Sequence, residues 1–139
     1  MIWYHYTSTE RLVMIRSTGI IRTTESNIGS GRSDWPPFGS HVGPDVVWLT
    51  DEPEPDSQAL ALTTIDGSDK TEVRITVSLA DDEVMWWPDF AKQHGIHRQW
   101  RRALELGRDP QSWWVVERAI ALCEVVAIEQ RFSDSVTNP

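Results

Sequence analysis

The chain has 139 residues, 13 Lys and Arg against 21 Asp and Glu, a single cysteine, and eight tryptophans among its thirteen aromatic side chains. That length suits one domain built on one core, and the lone Cys123 excludes a disulfide scaffold or a four-cysteine zinc site. A formal charge of −8 argues against bulk nucleic-acid binding, whose non-specific part comes from neutralising phosphates. The charge is uneven, since between Lys92 and Arg108 five Lys or Arg stand against one acid, Glu105, a local +4 that leaves −12 on the rest.

The opening Met1-Ile2-Trp3-Tyr4-His5 has neither the basic start nor the apolar run of a signal peptide. The apolar stretch from Ala119 to Ile128 is broken by Glu124 and is far shorter than the roughly 20 residues of a membrane span. Together with the single cysteine, these features predict a soluble protein in a reducing, cytoplasmic setting with no membrane partner.

Residues 2 to 6, Ile-Trp-Tyr-His-Tyr, are aromatic and β-branched and predict a short buried strand holding a histidine. Ser8 then suits a helix N-cap, Leu12 and Ile15 recur at helical spacing, and Gly19 is placed to end the helix. Ile20 to Thr23 reads as a second short strand, followed by a Ser, Gly and Pro-rich loop from Ser26 to Pro44. Loops of that length inside a small domain are usually functional or mobile. Val46 to Thr50 reads as a strand and Ser57 to Leu62 as a helical turn.

From Thr71 to Leu79 apolar and polar residues alternate, with Val73, Ile75, Val77 and Leu79 on one face, the pattern of a half-buried antiparallel strand. Trp86 to Gln93 and Arg98 to Leu106 read as helices divided by Gly95. Trp113 to Val116 and Val125 to Ile128 read as two last strands, and the segment from Ser133 is polar. The expected architecture is a single α+β domain over residues 1–132, with a tail at 133–139: two small, mostly antiparallel sheets forming a split cleft flanked by short helices.

Four groups of residues are candidates for chemistry. His5, with Tyr6 and Thr7, sits where a strand opens into a helix entry, a place where a polar ring and free amides can meet an anionic ligand; the alternative is a core histidine satisfied by a carbonyl. Glu117 lies between Trp113-Trp114-Val115-Val116 and Ala119-Ile120-Ala121-Leu122, so it is either the anion of an apolar cleft or a surface partner of Arg118. His94-x-x-His97 has metal-ligand spacing, but Gly95 interrupts it and no third ligand stands near, so no metal is expected. Arg98, Arg101, Arg102 and Arg108 form either a solvated face or a contact for phosphate or an acidic partner. A serine-hydrolase elbow of the Gly-x-Ser-x-Gly type is absent from the sequence.

The order of these pieces carries a resemblance. Trp3-Tyr4-His5-Tyr6-Thr7-Ser8, then Leu12-x-x-Ile15, then Ser17-Thr18-Gly19-Ile20-Ile21 resembles the opening of ADP-ribosyltransferase-fold proteins, including their RNA 2′-phosphotransferase branch. Val46-Val47-Trp48-Leu49-Thr50 looks like that family's second core strand. Val115-Val116-Glu117-Arg118-Ala119-Ile120, followed by Val125-Val126-Ala127-Ile128, looks like the catalytic-glutamate strand and its successor in DarT-like members.

The resemblance implies an enzyme that takes NAD as substrate, transfers ADP-ribose to an unknown protein or nucleotide-like acceptor and releases nicotinamide. His5 would bond the adenosine-side ribose, and the backbone of Tyr6 or Thr7 the nicotinamide amide. Trp48 or a nearby aromatic would stand where the family often has a tyrosine stacking on nicotinamide, with Thr50 as the alternative hydroxyl of the arginine-serine-glutamate branch, and Glu117 would be catalytic. The loop from Ser26 to Pro44 would cover the cleft. The rival expectation is a non-enzymatic binding or inhibitor protein that uses exposed tryptophans as interface anchors. A third, phosphotransfer from RNA, needs arginines near His5, for which Arg22 and Arg32 are candidates.

Overall fold

The computed structural model describes residues 1–23, 45–54, 71–96 and 98–130. The loop expected from Ser26 to Pro44, the turn from Ser57 to Leu62, His97 and the tail from Ser133 lie outside the described residues. Strand β1 (Ile2–Thr7) follows from its aromatic and β-branched run, and α1 (Thr9–Thr18) from the cap that precedes it. Ser8 is extended, and its Oγ accepts the Arg11 N–H at 3.2 Å, which satisfies one of the donors that a helix start leaves open. Gly19 ends the helix at φ +79°, with its N–H bonded to the Ile15 carbonyl at 2.8 Å. Leu12 and Ile15 form the buried stripe of α1 and contribute about 3 to 6 kcal/mol together by the area they remove from water.

Strands β2 (Ile20–Ile21) and β3 (Val47–Thr50) come next, then β4 (Val73–Ser78) and a short β5 (Val84–Trp86). Helices α2 (Trp87–Gln93) and α3 (Arg98–Glu105) precede β6 (Trp113–Val116), β7 (Ile120–Ala121) and β8 (Val125–Gln130). Six strands form one sheet in the order β5-β6-β3-β1-β4-β8, and β2 and β7 form a separate two-stranded ribbon. Every pairing is antiparallel. The α+β, mostly antiparallel expectation holds; of the two small sheets expected, one is a sheet of six strands and the other a ribbon of two.

Within the large sheet the ladders are unequal. β1 pairs with β4 along its whole length, from Ile2–Ser78 to Thr7–Val73, and β3 pairs with β6 from Val47–Val116 to Thr50–Trp113. Between β1 and β3 the register holds at one pair, Tyr4–Thr50. The sheet is therefore two three-stranded halves, β5-β6-β3 and β1-β4-β8, joined by a narrow seam.

Side chains alternate across the sheet and give it two cores. On one face Trp3, Val47, Leu49, Val73, Ile75, Val77 and Val116 pack with Leu12 and Ile15 of α1 and with Ile21 and Ile120 of the ribbon. Val73, Ile75 and Val77 are each 0% exposed, so the alternation read in this segment is the centre of the molecule. On the other face Trp113 and Val115 pack with Val46, Trp87, Phe90, Ala91 and Ile96, most of them carried by α2 and the turn after it. The helix expected to start at Trp86 starts at Trp87, because Trp86 closes β5 opposite Trp114 and Pro88 occupies the first turn.

Candidate functional site

The seam begins where β1 and β3 stop pairing. Past the Tyr4–Thr50 rung, His5 turns its imidazole to the freed backbone, and Nδ1 lies 2.8 Å from the Trp48 carbonyl oxygen. A carbonyl only accepts, so Nδ1 carries the proton and the tautomer is set. Tyr6 donates its hydroxyl to the Glu52 carbonyl at 2.9 Å, and Thr50 Oγ1 accepts the Glu52 N–H at 3.1 Å, which ties the segment after β3 back onto the seam. Thr7 and Thr50 are 2% and 3% exposed, unusually dry for threonine. Alternation puts His5 and Thr7 on the α1 side of the sheet and Tyr6, Trp48 and Thr50 on the other.

On the α2 side lies a layer of rings. Trp48 is 4.9 Å from Trp87 and 5.8 Å edge-on to Trp113, and Trp87 stacks on Phe90 at 5.8 Å, spacings at which aromatic pairs attract. Trp48 is half-buried, and its Nε1 is a buried donor without a hydrogen-bond partner among the described residues. None of the six tryptophans whose side chains are described is exposed: Trp3, Trp87 and Trp113 are buried, and Trp48, Trp86 and Trp114 are half-buried. Adjacent tryptophans on β6 point to opposite faces, and both faces are covered. The expectation of exposed tryptophans as interface anchors is thus corrected for these six.

Glu117 follows β6 in a bend, with its side chain 51% exposed. Its Oε1 lies 3.1 Å from His94 Nε2 at the end of α2, and no hydrogen bond or ion pair links it to His5, Tyr6, Thr7, Trp48 or Thr50. The surface alternative had Arg118 as its partner. Arg118 instead bonds Glu124 at 2.7 Å, Glu83 at 2.9 Å and the Ala119 carbonyl at 3.0 Å, and the bonds to Glu124 and Glu83 hold its guanidinium above its ordinary pKa. No family model, curated protein or solved structure matches this chain.

The basic stretch is divided by its own acid. Arg101 is half-buried and donates Nε to Glu105 at 2.7 Å, the same carboxylate that takes the Trp87 indole N–H at 2.6 Å, so Glu105 fastens α3 to the ring layer. Arg98 and Arg102 are exposed. Among the described residues no three His, Cys, Asp or Glu side chains gather as metal ligands would, and no helix is long and apolar enough to cross a membrane.

Sequence reasoning weighed His94 only as half of a His-x-x-His pair, set aside as a metal site, and missed it as the partner of Glu117, 23 positions away in the chain. No local pattern could have shown it, because the contact exists only once α2 folds over β6. Arg74 was missed likewise as the link that bonds Glu129 at 2.7 Å, reaches the Pro53 carbonyl and lies 5.4 Å over the Tyr4 ring.

Proposed function

We propose that the protein is an NAD-dependent ADP-ribosyltransferase that works at the seam between β1 and β3. One observation carries the reading. The β1–β3 register holds at Tyr4–Thr50, and Val47, at the other end of β3, pairs with Val116, so Glu117 stands at the end of the seam where β1 and β3 are unpaired. The histidine strand, the second core strand and the glutamate strand are also neighbours, in the order β6-β3-β1.

A dinucleotide along this seam would meet His5, whose Nδ1 bonds the Trp48 carbonyl. Tyr6 and Thr7 would offer backbone groups to the nicotinamide amide, and Trp48 or Thr50 would border the ring. Glu117, partly open to solvent, would face the ribose. Little other machinery is required. The bond from C1′ to the nicotinamide nitrogen breaks with its electron pair going to that nitrogen, which turns a cationic ring into neutral nicotinamide and needs no general acid, unlike ordinary glycoside hydrolysis. Glu117 stabilises the positive charge left on the sugar and holds the 2′-hydroxyl. The acceptor's lone pair then bonds C1′, and its proton passes to the Glu117 carboxylate.

The test is release of nicotinamide from NAD by the purified chain. Glu117→Gln, nearly isosteric at an exposed position, should melt like the wild type and lower the rate about 100-fold or more, the scale of losing one electrostatic contact to a transition state. Full activity in that variant, or a wild type that neither turns over NAD nor binds it by calorimetry at millimolar concentration, would overturn the proposal.

A further inference from the structure

We propose that His94 is the positioning residue for Glu117, an inference that rests on the transferase reading above. Its Nε2 stands 3.1 Å from Glu117 Oε1, and its side chain is 27% exposed against 51% for the glutamate, so the histidine is the better anchored of the two.

The anchoring is visible in α2. His94 closes that helix with its N–H on the Phe90 carbonyl at 3.0 Å, and its ring rests 4.4 Å from the Phe90 ring. Phe90 is 1% exposed and stacks on Trp87, also 1% exposed, so the imidazole is seated on a buried, close-packed layer of rings. Gly95 follows at φ +58°, a conformation that lets the chain turn away and lets Ile96 N–H return to the Ala91 carbonyl at 3.0 Å. The backbone around His94 is thereby held from both sides.

Glu117 itself has no such support. It lies in a bend, and the next residue, Arg118, is tied through its guanidinium to Glu83 and Glu124. Those bonds hold the chain of the bend and leave the Glu117 side chain, among the described residues, to its contact with His94. His94 stands beside Oε1, while Oε2 makes no hydrogen bond or ion pair among the described residues, so the imidazole fixes where one oxygen of the carboxylate lies. The Nε2 atom is buried and its approach to Oε1 lies off hydrogen-bond alignment, a common state of catalytic contacts that tighten once substrate is in place. A carboxylate held at one oxygen reaches the ribose with fewer orientations to search, which appears in turnover rather than in affinity.

The experiment compares His94→Ala and His94→Gln for nicotinamide release, with thermal melts to verify folding. The alanine variant should lose about 100-fold in kcat, the scale of a misplaced catalytic group, while KM for NAD stays within about twofold. Glutamine, whose amide nitrogen reaches about as far as Nε2, should recover most of the rate. Unchanged kcat in His94→Ala, or a loss that falls on KM, overturns the positioning role and leaves the transferase reading standing. An inactive wild type overturns both. Contact between the side chains is read without turnover, from the imidazole ¹⁵N resonances of His94 at fixed pH. They should move in Glu117→Gln, and unmoved resonances overturn the inference, including in the case where His94→Ala fails to fold.

Discussion

Arg118 shows how a single residue can shape the neighbourhood of a site without touching its chemistry. Its guanidinium spans Glu83 on one 3₁₀ turn and Glu124 on another, closing a ring of charge around the bend that carries Glu117. Glu124 is held below the usual carboxylate range by its bond to Arg118, against the opposing effect of burial and with help from the Ala121 N–H. A carboxyl lowered by folding adds stability that is complete above its unfolded pKa and is lost as pH falls through the folded one. The wild type should therefore lose melting temperature as pH drops below about 4.3, the ordinary carboxylate value. Arg118→Met should melt lower at pH 7 by the equivalent of about 1 kcal/mol, since the three side chains are partly exposed and screened, and the gap should narrow in acid. A gap that stays constant from pH 7 to 3, in melts followed by circular dichroism, would show that the pairing does not carry this stability.

At the scale of elements, the first strand and helix were the most legible part of the chain because each of their signals is local. An aromatic, β-branched run, a serine cap and a glycine stop all act within a few residues, and the observed limits of β1 and α1 follow them. Gly19 allows a clean check. Its φ of +79° disfavours any side chain, yet a Cβ placed there meets nothing within 4 Å, so the cost of Gly19→Ala is conformational alone. That variant should lose about 1 kcal/mol in a urea melt with an unchanged m-value, and a loss several times larger would mean that the turn packs more tightly than its geometry implies. β5 was not legible, because Val84-Met85-Trp86 runs without a break into Trp87-Pro88 and the apolar stretch reads as one helix start. Ile20 to Thr23 already read as a strand, but its partner β7 and their pairing were invisible for a different reason: each strand has two residues, and their pairing across about a hundred positions comes from the packing of Ile21 and Ile120 in the core, not from a local pattern. The candidate site divides in the same way. His5 and Glu117 stand out as polar residues among apolar ones, whereas the partners that fix them, the Trp48 carbonyl and His94, are brought by tertiary structure.

For the whole molecule, the decisive property is that one sheet carries four ladders of three to six registered pairs and one, between β1 and β3, of a single rung. A strand held by a full ladder and buried side chains opens only with the global unfolding of the domain, but a seam with one rung can open locally. β1 is anchored by β4 and β3 by β6, so parting them along the seam breaks the Tyr4–Thr50 pairing, the His5–Trp48 bond and the tie from Tyr6 to Glu52, and leaves the other ladders intact. Hydrogen exchange should accordingly divide β1 and β3 by direction: amides facing β4 or β6 should exchange with the core, and amides facing the seam at least about ten-fold faster. Addition of NAD should slow the seam amides selectively, since a ligand that binds only the folded state protects most where it bridges elements that otherwise part. Uniform exchange across the six strands would mean that the seam is as rigid as the ladders beside it, and a ligand would then have to bind on a face of the sheet. Slow exchange confined to the β1–β4 and β3–β6 ladders would instead join the weakest line in the sheet to the opening beside Glu117.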